Sequence, residues 1–288
     1  MIEHLEQTGS YRVLRRLQPG LTVASKGAGA QFTGIILDVE TTGLDTSRDE
    51  VIELGMVKFS FTDTGALAAV GETFSGFQQP SKPIPAEITE ITGITDAMVA
   101  GQSISPIAVA AFAADASLII AHNAGFDRRM VERIWPCFME KNWGCSASQV
   151  DWRAEGVAGS KLGYILTDLG YFHEAHRAVD DCQAALHVLT CPLPRSGSLG
   201  LGQILHATSK STVRIWAERA PFEQKDVLKA RGYRWSDGSG GSRRAWWIEV
   251  PTAGRDAEVA YLHTNIYGHA ADLPIREITS RERFSDRA

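Results

Sequence analysis

The stretch Gly34-Ile-Ile-Leu-Asp-Val-Glu-Thr-Thr-Gly43 decides the fold of this chain. Its apolar run, residues 35–37, predicts a buried strand. Asp38 and Glu40 follow two residues apart, so on a strand their side chains point to the same face. Two acids held that close repel each other unless a cation lies between them. Because carboxylate oxygens suit Mg²⁺ or Mn²⁺, the end of this strand predicts a site for divalent cations.

Two later segments carry acids in positions that fit the same site. Residues 118–121, Leu-Ile-Ile-Ala, predict a second buried strand, followed by a helix whose first turn contains Asp127. The helix dipole favours a carboxylate there. In the third segment, helical spacing places Asp181 in the first turns of a helix and His176 on the loop that enters it. A histidine beside a metal-bound carboxylate suits the role of general base.

The ordered set of motifs resembles the DEDDh family of 3′–5′ exonucleases, which includes the proofreading epsilon subunit of bacterial replicative DNA polymerase. The matching segments are Asp38-Val-Glu-Thr-Thr-Gly-Leu44, Ile91-Thr-Gly-Ile-Thr-Asp96, His122-Asn-Ala-Gly-Phe-Asp127 and His176-Arg-Ala-Val-Asp-Asp181. Together they cover about residues 33–191. Each motif alone is only moderately specific, whereas all of them in this order form a strong signal.

The resemblance implies a metal-dependent exonuclease that hydrolyses DNA from the 3′ end and releases nucleoside 5′-monophosphates by a two-metal mechanism. His176 would take the proton from the attacking water. Two Mg²⁺ or Mn²⁺ ions would be held by four acids: Asp38, Glu40, Asp127 and Asp181. Asp180 competes for the last position, and the family spacing favours Asp181. The terminal nucleotide would be seated by Thr41, Thr42, Gly43, Leu44, His122, Asn123 and Phe126.

The identity of the polymer stays open, because a contact to a 2′-hydroxyl cannot be recognised in a sequence. An RNA-directed 3′–5′ exoribonuclease is therefore one alternative. A polymerase-accessory or nucleic-acid-binding protein with secondary nuclease activity is another. The expected partner is a nucleic acid with a free 3′ end, with single-stranded DNA favoured, and a DNA polymerase is a further candidate partner.

Composition agrees with a protein that has a substantial core. The chain has 288 residues, 44% of them hydrophobic, and a formal net charge of −5. Affinity for nucleic acid must then come from local basic surface. The sequence contains neither an apolar signal-peptide core near its start nor a run of eighteen apolar residues, so we expect a cytoplasmic protein without a membrane partner.

Residues 33–191 predict an α/β domain of the ribonuclease-H-like kind, a mixed sheet flanked by helices. The metal site should lie at the strand ends. The predicted strands are 34–40, 51–61, 66–77 and 118–121, and the predicted helices are 86–91, 105–114, 126–139, 161–169 and 178–190. Residues 1–32 form an N-terminal arm, in which 11–17 are predicted to be a short element on the main domain and 27–29 a flexible connection.

A second, smaller α+β domain is predicted at 212–270, after a linker at 192–211 and before a loose tail at 271–288. Its order is strand, helix, strand, strand, helix, with a hairpin loop at 237–242. Between residues 212 and 250 there are eight Lys or Arg against five Asp or Glu.

Four of the seven tryptophans also lie between residues 212 and 250. They could form the core of a small domain, but Trp246 and Trp247 are consecutive, so on a strand at least one faces away from that core. Basic groups among aromatic rings are typical of single-strand binding. The expected auxiliary nucleic-acid contacts are Arg214, Lys225, Lys229, Arg231, Arg234, Arg243, Arg244 and Trp247.

Overall fold

A computed structural model describes residues 2–18, 31–238 and 242–288. The chain divides into two compact units, Met1–Ala207 and Thr208–Ala288. The connection expected at residues 27–29 lies outside the described residues, as does the middle of the loop expected at 237–242. None of the helices in the described ranges is long and apolar enough to cross a membrane.

The first unit is built on a five-stranded mixed sheet. The strands of the whole unit, including two that lie outside this sheet, are in chain order β1 (Arg15–Arg16), β2 (Gln31–Thr41), β3 (Val51–Thr62), β4 (Leu67–Phe77), β5 (Leu118–Ala121), β6 (Asn142–Cys145) and β7 (Tyr171–Phe172). The sheet order is β4-β3-β2-β5-β6, with β2, β3 and β4 antiparallel and β5 and β6 parallel to β2. The predicted mixed α/β architecture is confirmed. The short strand β1 pairs with β7 outside this sheet.

Helices flank the sheet. In chain order they are α1 (Ile2–Gln7), α2 (Ala86–Thr92), α3 (Asp96–Val99), α4 (Pro106–Ala113), α5 (Ala124–Glu132), α6 (Leu162–Asp168), α7 (Ala178–Thr190) and α8 (Gly200–Thr208). The helix predicted at 126–139 is wrong in its second half, because α5 ends at Glu132 and a single 3₁₀ turn, Pro136–Phe138, follows. The proline disfavours helical backbone at Trp135, which is extended, with φ −122° and ψ 90°.

The core of the first unit explains why its central strands are almost wholly apolar. Ile36 of β2, Val57 of β3 and Ile120 of β5 are each at most 1% exposed. They belong to one cluster with the apolar face of α7, including Cys182 and Leu186. The middle of β2 is buried in this way, and polar side chains leave the core at its C-terminal end, at Asp38 and Glu40.

The second unit is a four-stranded antiparallel sheet with two α-helices. Its elements are β8 (Thr212–Ala217), α9 (Lys225–Ala230), β9 (Arg234–Asp237), β10 (Arg244–Pro251), α10 (Arg255–Tyr261) and β11 (Ile275–Ile278). The sheet order is β11-β8-β10-β9. Ile215 and Ala217 of β8 pack with Leu228 of α9 and with Leu262 and Ile266, which lie in the π-helical turn after α10.

The expectation of a loose tail from residue 271 is wrong for residues 275–278. These residues form β11, which pairs antiparallel with β8, and Ile278 is 0% exposed. Ile275 and Ile278 are the apolar residues of this strand, but they do not alternate with period two, so the segment lacks the pattern that predicts a strand.

Candidate active site

Three carboxylates meet at the C-terminal end of β2. Asp38 and Glu40 lie on the same face of the strand, and Asp181 comes from the first turns of α7. One ligand oxygen from each of the three lies within 4.8 Å of the others. Asp180 is exposed and is not part of this group. The geometry therefore brings together three of the four acids expected to bind metal.

A glycine lets α7 approach the sheet closely enough to deliver Asp181. Gly55 of β3 lies directly opposite Asp38 in the β2–β3 register. A Cβ atom at Gly55 would lie 2.5 Å from the carbonyl carbon of Ala178 and 2.6 Å from the nitrogen of Val179. The first turn of α7 thus lies directly on β3, and no side chain larger than hydrogen fits between them.

Asp127 lies beside these acids and is 3% exposed. Its Oδ1 accepts a hydrogen bond from the backbone N–H of Val39, at 3.3 Å, between Asp38 and Glu40. This bond joins the first turn of α5 to β2. Asp127 is outside the three-carboxylate group, but its charge contributes to raising the pKa of Asp38.

Burial and mutual repulsion oppose ionisation of this group. The pKa of Glu40 is raised to about 8, first by burial and then by the charges of Asp181, Glu53 and Asp127. Burial also raises the pKa of Asp38 well above its usual value, and the neighbouring charge of Asp127 adds to that effect. Burial raises the pKa of Asp127 as well. A cation among these oxygens would remove the repulsion, so the donor set fits a hard divalent ion.

Two histidines flank Asp181 in different ways. His176 is exposed and has a left-handed backbone, with φ +70°. Its N–H and that of Arg177 donate to Asp181 Oδ2, at 2.8 and 3.1 Å. The side chain that contacts Asp181 is His173, whose Nε2 donates to Asp181 Oδ1 at 2.8 Å. Sequence reasoning missed His173, because the family motif begins three residues later.

An ion pair next to the carboxylates was also missed. Glu53 of β3 lies directly opposite Glu40 in the register, and its side chain is 1% exposed. It accepts from Arg177 Nη2 and Nε, at 3.1 and 3.3 Å, and from the N–H of Ala178 at 3.3 Å. A single charged residue in the apolar run Val51-Ile-Glu-Leu54 was the available signal.

The segment expected to seat a nucleotide follows directly after Glu40. Thr41 donates to the carbonyl of Gly43, and Thr42 donates to Asp49 Oδ1 at 3.2 Å. A Cβ atom at Gly43 would lie 2.5 Å from Asp49 Oδ2. A side chain at this position would displace the carboxylate of Asp49, so the space beside Gly43 is occupied by an acid of the protein itself. Leu44 extends outward and is 86% exposed.

The residues expected on the other side of the site lie at the start of α5. His122 Nε2 is 2.7 Å from the carbonyl of Ser160, which only accepts, so Nε2 carries the proton and Nδ1 accepts from Ser146 Oγ at 2.8 Å. Burial lowers the pKa of His122, which favours this neutral form. Asn123 is exposed at the N-cap of α5, and Phe126 is half-buried.

The basic residues expected to assist binding lie in different parts of the second unit. Arg214, Arg234 and Trp247 are near neighbours on its sheet. Lys229 is on α9, and Arg231, just after α9, forms an ion pair with Glu258 at 2.8 Å. Three further residues were named in the prediction: Lys225 at the start of α9, Arg243 before β10 and Arg244 at its first position.

The site and fold agree with a known family. A family model described as Exonuclease (RNase_T) matches residues 35–189, more than half of the chain. The chain belongs to this exonuclease family. The match contains the five residues that the sequence singled out: Asp38, Glu40, Asp127, His176 and Asp181.

Named relatives place this exonuclease module inside longer proteins. The chain is 30% identical over 164 residues to "DNA polymerase III PolC-type" of Clostridium perfringens, covering 54% of the chain and 11% of the relative. It is 34% identical over 106 residues to "DNA polymerase III subunit epsilon-like protein" of Rhodobacter capsulatus, covering 36% of the chain and 14% of the relative. The chain thus spans a small fraction of these relatives.

A solved structure shows the same fold. The zinc-bound form of the E. coli exonuclease I complex with single-stranded DNA aligns with a TM-score of 0.50 and 15% identity. The alignment covers 76% of this chain and 63% of that chain. The likeness concerns the fold alone.

Proposed function

We propose that the protein is a metal-dependent 3′–5′ exonuclease that hydrolyses the phosphodiester bonds of DNA and releases nucleoside 5′-monophosphates. The observation that carries this proposal is the group formed by Asp38, Glu40 and Asp181, whose ligand oxygens lie within 4.8 Å of one another. Family membership supports it, since the family model spans this whole site.

The residues present fit divalent metal ions. All the converging donors are carboxylate oxygens, which suit Mg²⁺ and Mn²⁺, and burial raises the pKa of Asp38 and of Glu40. Asp38, Glu40 and Asp181, with Asp127 beside them, would hold the ions. When bound, two such ions stabilise charge on the attacking and leaving oxygens of a phosphoryl displacement.

The protein's own groups would perform the remaining tasks. His176, exposed beside Asp181, would accept the proton of the attacking water. Leu44, which is 86% exposed, would pack against the terminal base, and Thr41, Thr42 and Gly43 would help to seat the terminal nucleotide. His173 and Arg177 would keep Asp181 and the turn at His176 in place.

DNA is the favoured substrate because the named relatives are DNA polymerase III proteins. The same names support a DNA polymerase as a candidate partner. RNA is the second candidate, since the described site contains no group whose role distinguishes a 2′-hydroxyl from a hydrogen.

A digestion experiment tests the proposal. Single-stranded DNA and matched RNA, labelled at either end, are incubated with Mg²⁺, Mn²⁺ or EDTA. We expect a metal-dependent ladder that shortens from the 3′ end. Asp38→Asn should abolish the ladder, whereas Asp115→Asn, which alters an exposed acid paired with Lys58, should not. If neither polymer is digested while binding persists, the proposal fails in favour of a nucleic-acid-binding accessory protein.

A further inference from the structure

The sheet of the second unit has one face that its own core does not use. Along β8, Ile215 and Ala217 are buried against α9, and the alternate residues Arg214 and Trp216 point to the opposite face. We refer to this side as the outer face. In the register of β8 and β10, Trp247 lies opposite Trp216 and so points to the outer face too.

Arginines surround the two outer-face indoles. The guanidinium carbon of Arg214 lies 4.3 Å from the ring centroid of Trp247 and 6.0 Å from that of Trp216. Arg234, opposite Trp247 on β9, lies 5.5 Å from the Trp247 centroid, and Arg243 lies 5.6 Å from the Trp216 centroid. These five residues form a contiguous cluster of alternating aromatic and cationic groups, in which Arg234 and Arg243 are exposed and the other three are half-buried.

The other tryptophans of this unit have a different role. Trp246 packs against the buried core of the unit, and its ring meets that of Trp235 edge-on at 5.6 Å. Trp235 lies opposite Trp246 in the register, so it belongs to the core side of the sheet although it is 52% exposed. A core role therefore accounts for Trp246 but not for Trp216 and Trp247.

The outer face carries a surplus of positive charge. Glu249 accepts from Arg214 at 3.1 Å and lies 3.6 Å from Arg283, so two arginines neutralise one acid. Glu218 pairs with Arg243 at 2.7 Å. Arg234 is exposed and adds a further cation to these. A polyanion complements this arrangement.

We propose that the outer face binds single-stranded nucleic acid. Bases would stack on the indole and guanidinium planes, and phosphates would pair with the arginines, Arg234 first. A single strand is favoured over a duplex because only unstacked bases expose their rings to a flat aromatic surface. The inference rests on the proposed function for the identity of the polymer. An acidic peptide is the competing occupant, since it would use the charges but not the rings.

Binding by full-length protein tests the proposal. All variants are made in an Asp38→Asn background and assayed in EDTA, which prevents digestion. The probes are fluorescein-labelled dT30 and an abasic 30-mer, which has the phosphates without the bases. Arg234→Glu is compared with Lys229→Glu, which makes the same charge change on α9, the helix that packs on the core side of the sheet. Trp247→Leu is compared with Trp235→Leu on the core side.

Arg234→Glu should weaken dT30 binding by about fivefold or more and reduce the salt dependence by about one ion, because one phosphate contact is lost. Lys229→Glu should change binding by less than about twofold, because Lys229 lies on the core side of the sheet and no phosphate contact is lost there. The parent should prefer dT30 to the abasic strand by about fivefold, and Trp247→Leu, unlike Trp235→Leu, should remove the preference. The proposal would be overturned if Arg234→Glu and Lys229→Glu weakened binding equally. It would also be overturned if the parent bound dT30 and the abasic strand equally well. That second result would favour an acidic peptide as the occupant.

A second measurement separates this inference from the proposed function. With Asp38 restored and Mg²⁺ present, Arg234→Glu and Trp247→Leu should hydrolyse a tetranucleotide at the parental rate, since so short a strand depends on the active site alone. A parent that fails to hydrolyse the tetranucleotide refutes the proposed function and leaves the binding result standing. Variants that lose tetranucleotide hydrolysis refute the outer face as a separate binding surface.

Discussion

A Cβ atom on Gly55 would lie 2.5 Å from the carbonyl carbon of Ala178, so helix α7 begins in direct contact with strand β3. Gly55 is also the register partner of Asp38. The close approach that brings Asp181 to Asp38 therefore includes a backbone contact between α7 and β3, beside the side-chain packing of α7 on the sheet. The geometry of the three-carboxylate group thus depends on a residue that carries no functional group.

Substituting Gly55 with alanine should move the start of α7 away from the sheet. We expect Gly55→Ala to cost about 1–3 kcal/mol of unfolding free energy, because extra volume enters a filled space. Activity at limiting Mg²⁺ should fall by more than about tenfold, a change in binding of about 1.4 kcal/mol. Urea unfolding and a metal titration of the rate measure the two effects.

Gly163→Ala is the matched control. Gly163 lies inside α6, and a Cβ atom there would meet nothing within 4 Å. Alanine favours helix over glycine by about 1 kcal/mol, so this variant should be neutral or slightly more stable with full activity. If Gly55→Ala behaved like this control, the close approach of α7 would not matter for the site.

The ion pair between Arg177 and Glu53 should stabilise both the fold and the turn at His176. Arg177→Ala leaves the carboxylate of Glu53, which is 1% exposed, without its cation. We expect a loss of about 1–3 kcal/mol in chemical unfolding, the cost of leaving a buried acceptor unsatisfied. The double variant Arg177→Ala with Glu53→Gln should recover part of that loss, since the uncompensated charge is removed.

Arg16→Ala provides the comparison for that ion pair. Arg16 pairs with Glu174 at 2.7 Å, but the two side chains are 55% and 74% exposed. An exposed pair contributes less than about 1 kcal/mol, so the variant should unfold almost like the parent. Equal losses for Arg16→Ala and Arg177→Ala would show that burial of Glu53 does not set the strength of the pair.

The elements that the sequence predicted well are those with a strong local signal. The strands β2 and β5 are continuous apolar runs followed by polar residues, and α7 has clear helical spacing. By contrast, β6 is only four residues, Asn-Trp-Gly-Cys, and its strand conformation comes from pairing with β5. The strand β11 likewise pairs with β8. Neither segment has the alternation of apolar and polar residues that predicts a strand from sequence.

The same distinction applies to the site. Asp38, Glu40 and Asp181 occur in motifs, so residue order alone identified them. The contact of His173 with Asp181 spans eight residues, across a bend at His176, where φ is +70°. The pairing of Glu53 with Arg177 joins residues 124 positions apart. Such contacts follow from tertiary structure, which a single sequence does not display.

The crowded carboxylates should make the metal-free protein less stable as pH rises. The pKa of Glu40 is raised from 4.5 to about 8, so the folded state holds a proton that the unfolded state has released. Where the folded state binds more protons, unfolding free energy falls with increasing pH. The contribution of Glu40 to the unfolding free energy therefore decreases as pH rises from 4.5 to about 8. Above that window its contribution no longer changes with pH.

Thermal unfolding in EDTA at pH 5 and pH 8 measures this effect. The melting temperature should fall by several degrees toward pH 8, and Mg²⁺ should raise it more at pH 8 than at pH 5, because ionised carboxylates bind the ion. Glu40→Gln should flatten the dependence, while Glu90→Gln, which alters an exposed acid on α2, should leave it unchanged. A steeper fall in Glu40→Gln would contradict the assigned direction.

Replacing the two histidines near Asp181 should have different effects on metal affinity and on the rate at saturating metal. His176 is exposed, so His176→Ala should leave stability and Mn²⁺ affinity unchanged while lowering the rate at saturating metal by about 10²-fold or more, as expected for loss of a general base. His173 holds Asp181 Oδ1, so His173→Ala should weaken Mn²⁺ binding and recover most of its rate when metal is added in excess.

Calorimetric Mn²⁺ binding and rates across a metal titration separate the two histidine roles, and His173→Asn or His173→Gln should restore part of the affinity if the hydrogen bond matters. A His173→Ala variant that stays inactive at saturating Mn²⁺, with His176→Ala fully active, would reassign the base to His173. That result would mean that the residue contacting the carboxylate, not the exposed residue in the motif, performs the proton transfer.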